Sequence, residues 1–164
     1  MRKTLIIIWV FLWLFKLYFH AEAQIGKERI IEGEPPQWAK KIPEDKKFKY
    51  FVGFASDTNS LERGKNLAYI DALKQLIRSL GIIYEFKESY SIDEFLNQEI
   101  RGIPVYTLVR EAEIKEIAWQ KKEIVTWTLS PLEELEEVEI KYDVWVLIRY
   151  PREEWYRQRH YIIR

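Results

Sequence analysis

Apolar and polar positions change rhythm several times along the chain, and each change predicts an element. Leu5 to Phe15 is an unbroken apolar run. Residues 24 to 47 carry no period and are broken by Gly26, Gly33, Pro35, Pro36 and Pro43, which predicts an extended arm with little regular structure. Tyr50 to Ala55 is a short apolar run that reads as a strand, and Asp57 to Ser60 as a turn. Then the rhythm becomes fourfold. Gly64, Ala68, Ala72 and Leu76 form one narrow ridge of a helix, which Leu61, Leu73, Ile77 and Leu80 widen into an apolar face. Asn59 is the expected cap, Glu62 completes a capping box, and Gly81 ends the helix. Small side chains on the ridge let another backbone come close, so this helix is expected to lie flat on a sheet.

Beyond Gly81 the period falls to two. Ile82, Tyr84 and Phe86 alternate with Ile83, Glu85 and Lys87, which predicts a strand with one wet face. Ser91 to Glu94 is a second capping box, opening a short helix on Ile92, Phe95 and Leu96 that Gly102 and Pro104 stop. Val105 to Trp119 is rich in strand formers, but its alternation slips, and a β-bulge would reconcile the two parities. A turn at Gln120-Lys121-Lys122 leads to a strand over Ile124 to Leu129, and Ser130 to Glu133 signals a further short helix. Val138 to Tyr150 alternates most regularly. Trp145 and Leu147 on its nominally wet side imply a central strand or a covered second face. Pro151 ends it and starts a terminal helix over Arg152 to Ile162. The order of elements predicts an α+β fold: an antiparallel sheet of four to five strands, one long amphipathic helix packed on one face, and short accessory helices.

The first residues stand apart from that fold. Arg2 and Lys3 precede the apolar run, and Ala21-Glu22-Ala23 follows it as a small-x-small site, the pattern of a secretory signal peptide over residues 1–23. The run falls short of the ~20 residues that a spanning helix needs. An uncleaved leader anchored in the inner membrane is the alternative. Residues 24–47 are then the arm and 48–164 a single domain, with 152–164 its terminal helix.

Composition narrows the function classes. The whole chain balances 26 basic against 26 acidic residues, and loss of Arg2, Lys3, Lys16 and Glu22 with the leader leaves 23 against 25. Nucleic acid wants a basic surplus, so it is not the expected partner. There is no cysteine, which excludes disulfides, a thiolate zinc site and a lipid-bearing N-terminal cysteine. Export without disulfides fits a bacterial periplasm. Glu and Lys are abundant while Asn and Met are rare, a thermophile-like bias.

One stretch resembles a known family. Pro35-Pro36-Gln37-Trp38, then Val52-Gly53-Phe54-Ala55-Ser56, then Gly64, Ala68 and Ala72 are similar to the pattern of the LPP20 family of bacterial envelope proteins, which in turn is similar to the N-terminal domain of the flagellar assembly protein FlgT. The match covers about a third of the mature chain by motif. Gly64 stands where the family usually has Ala, which loosens a helix by about 1 kcal/mol. Ala55 stands where a second Gly is frequent, and the lipobox cysteine is missing, so lipid anchoring is not carried over. The resemblance implies a non-enzymatic envelope domain and transfers no catalytic residue.

The residues themselves agree. No catalytic, cofactor-binding or metal-binding set is identified. His160 is the one histidine after the leader, with no serine placed to use it. Glu111, Glu113 and Glu116, and the run Glu133, Glu134, Glu136 and Glu137, read as solvated faces. Trp38 reads as an anchor that docks the arm. The expected role is an exported accessory or scaffold protein acting through envelope protein partners or self-association, with no stable membrane span after cleavage. The alternative is a glycan- or peptidoglycan-binding module using Trp119, Trp127 and Trp145 as stacking platforms, were they to share one sheet face. The terminal helix, with its arginines and aromatics, is also a candidate for an anionic membrane surface.

Overall fold

A computed structural model describes residues 23–129 and 134–162. Among them, five helices and a four-stranded antiparallel sheet make a mixed α/β fold. In chain order these are β1 (Ala23–Glu32), α1 (Gln37–Lys40), β2 (Phe48–Thr58), α2 (Leu61–Ser79), α3 (Ile92–Leu96), β3 (Glu99–Ile100), β4 (Ile103–Pro104), α4 (Val105–Val109), β5 (Glu113–Leu129), β6 (Glu134–Pro151) and α5 (Arg152–Ile162). The main sheet runs β1-β5-β6-β2, and β3 pairs with β4 in a separate ribbon. The chain forms two compact units. Among the described residues, one holds 23–29, 123–129 and 134–139, the other 30–122 and 140–162.

The core belongs to the second unit. β6 contributes Val144, Val146, Ile148 and Tyr150, all fully buried. α2 contributes Ala68, Ala72, Leu73, Leu76 and Ile77, and Phe95, Val105, Leu108 and Trp155 join the same cluster. Gly64, Ala68, Ala72 and Leu76, the predicted ridge of small residues, are all buried. At Gly53 the approach is closest: a Cβ there would lie 1.8 Å from the Ala68 carbonyl oxygen and 2.4 Å from the Ala72 nitrogen. Both contacts are backbone, which cannot move aside as a side chain can, so only glycine fits.

The cap of α2 lies one residue later than expected. Ser60, with φ −145° and ψ 147°, accepts the Arg63 N–H at 3.3 Å. Asn59 instead accepts from Lys141 Nζ at 2.7 Å, and Glu62 pairs with Lys65 rather than reaching back. Thr58 pairs with Tyr142 and keeps β2 in the ladder through the position of the expected turn, so the helix starts later. Ser91 caps α3 as predicted, accepting from Glu94 N at 3.2 Å, and Gly81 takes its left-handed conformation at φ +92°.

Several expectations are corrected. Residues 24–32 are not an irregular arm but lie in β1. Residues 27–32 are all exposed, so no buried face leaves a period in that stretch, and backbone pairing is joined there by the Arg29–Glu123 ion pair at 2.9 Å. Residues 82–87 keep the inward-outward alternation but join no ladder. Alternation reports an extended backbone with one covered face, and it does not supply a pairing partner. Val105–Val109 is a helix, not a bulged strand: Val105, Leu108 and Val109 are buried at i, i+3 and i+4 behind Pro104. Between Leu108 and Val109 the slipped parity is a helical period. Gly102 does not stop α3, which ends at Leu96. With Arg101 it makes the β3–β4 turn, both at positive φ, as a two-residue hairpin of this type requires.

No turn interrupts β5 at 120–122, where Gln120 and Lys122 are buried within a continuous strand. The helix signal at Ser130 to Glu133 lies outside the described residues, as does the leader through Glu22. Glu134 to Glu137, expected in that short helix, belong to β6. This strand is interior in the sheet order, the first of the two readings that Trp145 and Leu147 leave open. α5 begins at Arg152, where Pro151 predicts it, and Trp155 is 4% exposed with its indole N–H donated to Ser79 Oγ at 2.8 Å.

Candidate functional site: an aromatic pair beside a buried lysine

The outer strand pair, β2 and β6, has two faces of different character. Register places Gly53 opposite Val146, Ala55 opposite Val144 and Phe51 opposite Ile148, and these side chains point into the core. The alternate positions point the other way: Val52 opposite Leu147 and Phe54 opposite Trp145. Phe54 and Trp145 stack with ring centroids 5.1 Å apart and planes inclined by 28°. Phe54 remains 44% exposed, whereas Leu147, two residues along β6, is only 2% exposed. The face therefore offers a broad aromatic surface at one end and a closed surface at the other.

Next to the rings the ladder slips. Ala55 pairs with Val144 but Thr58 pairs with Tyr142, so β2 carries one extra residue, and Asp57 there adopts φ +53°. Aspartate is among the few non-glycine residues that take this conformation readily. The bulge aims the Asp57 N–H at Asp143 Oδ1, 3.0 Å away. Lys122 Nζ sits between the two carboxylates, 2.7 Å from Asp57 Oδ1 and 3.0 Å from Asp143 Oδ2. Its side chain is 6% exposed and that of Asp143 13%, while Asp57 stays 56% exposed. Burial alone would push the Lys122 ammonium toward neutrality. Hydrogen bonds and charge from Asp57 and Asp143 outweigh it and hold Lys122 above the ordinary lysine range. Asp57, three residues along β2 from Phe54, keeps the more open carboxylate of the two.

The edge next to the rings is closed by α2. Phe54 donates its N–H to Asp71 Oδ2 at 3.1 Å, and the Val52 carbonyl accepts from Gln75 Nε2 at 2.7 Å. Asp71 and Gln75 are one helical turn apart and bond each other at 3.0 Å. They occupy backbone groups of an edge strand that another chain would otherwise pair with.

The sequence-predicted residues divide among different tasks. Pro36 precedes α1 as its cap, and Trp38 in that single turn is half-buried, its indole nitrogen buried with no hydrogen-bond partner among the described residues. Gly53, Ala55, Gly64, Ala68 and Ala72 line the strand–helix contact and do not form a ligand surface. The three candidate tryptophans do not form one platform. Trp119 meets Tyr142 edge-on at 6.4 Å on the core side, whereas Trp145 lies at the opposite parity of β6 with Phe54. Trp127 is half-buried in the other unit. Sequence reasoning misses Phe54 and Lys122 as site residues. Phe54 is one of many aromatics in strands, and Lys122 has the neighbours of a polar turn.

His160 is exposed on α5, Glu113 pairs with Arg149 at 2.6 Å, and Glu111 with Arg110 at 3.4 Å. Among the described residues no group of three acids or histidines could hold a metal, and no helix is long and apolar enough to cross a membrane. Comparison with known proteins returns no matching family model, no matching curated protein and no matching solved structure.

Proposed function

We propose that this chain is a non-enzymatic accessory or scaffold protein of the bacterial cell envelope, exported to the periplasm and working through protein–protein contact. The observation that carries this reading is the Phe54–Trp145 stack, with Phe54 44% exposed and the open carboxylate of Asp57 three residues along β2. Aromatic anchors in a partly desolvated setting are what interfaces use most. A partner would bring an apolar side chain to the rings and a lysine or arginine to Asp57. The secretory pattern of residues 1–23 supports the address. The resemblance of Pro35 to Ala72 to the LPP20 family supports an envelope role, with α2 as the one long helix laid across a face of the sheet.

A photocrosslinking residue at position 54, expressed in the envelope of a host that carries the chain, tests it. Adducts of defined mass are expected from position 54 and not from position 106, where exposed Tyr106 sits on α4. Monomer alone from both positions would sink the proposal. A second reading, binding of glycan or peptidoglycan, draws on the same stack, because a ring face and a neighbouring carboxylate suit the CH face and hydroxyls of a sugar. Sedimentation with purified sacculi separates the two: co-sedimentation abolished by Phe54→Ser would favour the glycan.

A further inference from the structure

A second site lies away from the aromatic pair, where α5 passes the β3–β4 ribbon and α4. A cleft of about 470 Å³ opens there, within the range of small-ligand pockets. Its apolar lining comes from Ile103 and Leu108, and its polar rim from Arg110, Arg157, Gln158 and Tyr161. The cleft holds two guanidinium groups and no carboxylate in its lining.

The wall beneath the rim is built rather than incidental. Glu154 is 7% exposed, a carboxylate buried one helical turn before the residues that line the cleft. It pairs with Arg157 and accepts from Gln158 Nε2 at 2.9 Å, so one buried acid orients both rim residues. On the other side, Tyr150 is fully buried and donates its hydroxyl to the Leu108 carbonyl at 3.1 Å. Burial, together with the negative charge of Glu154 and Glu111, holds this phenol above its ordinary range, so it stays a neutral donor. Tyr150 thereby pins the floor of the cleft to β6. The neighbouring glutamates also limit what the site can take. Each rim arginine has one acid beside it, Glu111 or Glu154, so the local field suits a single negative charge better than a doubly charged phosphate. A guanidinium carries five N–H donors, more than one carboxylate uses, so a second carboxylate can share the fork.

We propose that this cleft binds a small monoanionic carboxylate carried on an apolar chain, an alkyl carboxylate, with its head between Arg110 and Arg157 and its tail over Ile103 and Leu108. An extended peptide is the poorer fit. Pro104 in β4 has no N–H to offer an incoming backbone. The site is independent of the aromatic pair, and its failure would leave the scaffold reading untouched.

The test is titration of the full chain with octanoate, followed by calorimetry and by shifts of the Arg110 and Tyr161 signals, with octanol and octyl phosphate as the other arms. Octanoate is expected to bind, octanol to bind at least tenfold more weakly, and Arg110→Met to weaken octanoate about tenfold, the loss of one charge-assisted contact. Arg110 is exposed, so this variant should keep its thermal unfolding midpoint. Arg157→Met should weaken binding as well, and octyl phosphate should not exceed octanoate. Equal binding of octanol and octanoate, octanoate binding indifferent to both substitutions, or tighter binding of octyl phosphate would each overturn the proposal. So would no binding in the millimolar range.

Discussion

Gly53 and Lys122 show how much a single side chain decides in this molecule. A methyl group at position 53 would collide with the backbone of α2 at Ala68 and Ala72. Gly53→Ala is therefore expected to lower stability by about 2 kcal/mol or more, the cost of overpacking a contact that cannot give. Chemical denaturation measures it, and an unchanged midpoint would mean that α2 does not sit so close. Lys122 poses the electrostatic counterpart. Removing its charge leaves Asp143 nearly buried beside Asp57, and Lys122→Met should cost about 2–4 kcal/mol, somewhat below the usual range for a fully buried pair because Asp57 is open to solvent. Adding Asp143→Asn should recover much of the loss. The pH dependence has a definite sign. The folded-state pKa of Lys122 is raised, so its contribution is complete below about 10.4, the unfolded lysine value, and fades as pH rises through the folded value. Between those two values the parent should lose stability with pH more steeply than the double variant, which has no Lys122 charge to lose. Denaturation midpoints measured across the alkaline range would show it.

At the scale of elements, β2 is an outer strand whose free side is closed by two side chains of α2. Asp71→Ala would expose the Phe54 N–H and weaken the hold on Gln75. About 1 kcal/mol of stability should be lost, the net worth of a hydrogen bond. Concentration-dependent association should rise at the same time, because an uncovered edge pairs with other chains. Sedimentation velocity over a concentration series would detect it, and a variant that stays monomeric would show that the edge is guarded by something else. Most elements are legible from their own periods. α2, α3, β6 and α5 each rest on a long pattern or a clear starting signal. The stretches where sequence and structure part share a different physics. In residues 82–87 the side-chain pattern reports burial against exposure correctly, while in Val105–Val109 it puts exposed Tyr106 with buried Leu108. Five or six residues, however, do not distinguish a turn of helix from a bulged strand, nor an extended segment from a paired one. Residues 27–32 of β1, all exposed, offer no buried side-chain pattern to read.

At the scale of the whole molecule, α5 joins the domain through Trp155. This ring is packed in the core, holds Ser79 through its N–H, and lies under Lys49 Nζ at 3.6 Å. Partial burial, with the charges of Arg152 and Arg159, pulls the Lys49 ammonium below the ordinary lysine range. Trp155→Ala should destabilise the domain by about 3–5 kcal/mol, as for other buried aromatic truncations. A midpoint close to that of the parent would argue that α5 is an appendage, free to act on membranes. The tryptophan stays in the protein interior, so α5 is a structural closure first. The chain thus keeps its open aromatic surface on β2 and β6 while its terminal tryptophan is used inside.

From its order of residues alone, the chain determined the small-residue ridge of α2, the alternation of β6, the start of α5 and the capping of α3. Each depends on neighbours within one or two turns of helix or a few steps of strand, distances over which side-chain periodicity is set by backbone geometry. Tertiary structure decided the rest: that β1 pairs, that Lys122 enters a strand between two aspartates 65 and 21 positions away, and that Phe54 rather than Trp119 stacks on Trp145. Those outcomes depend on which strands become neighbours and in what register. A ladder slip of one residue at Asp57 is enough to move a side chain from one face to the other, and no local pattern in the sequence encodes it.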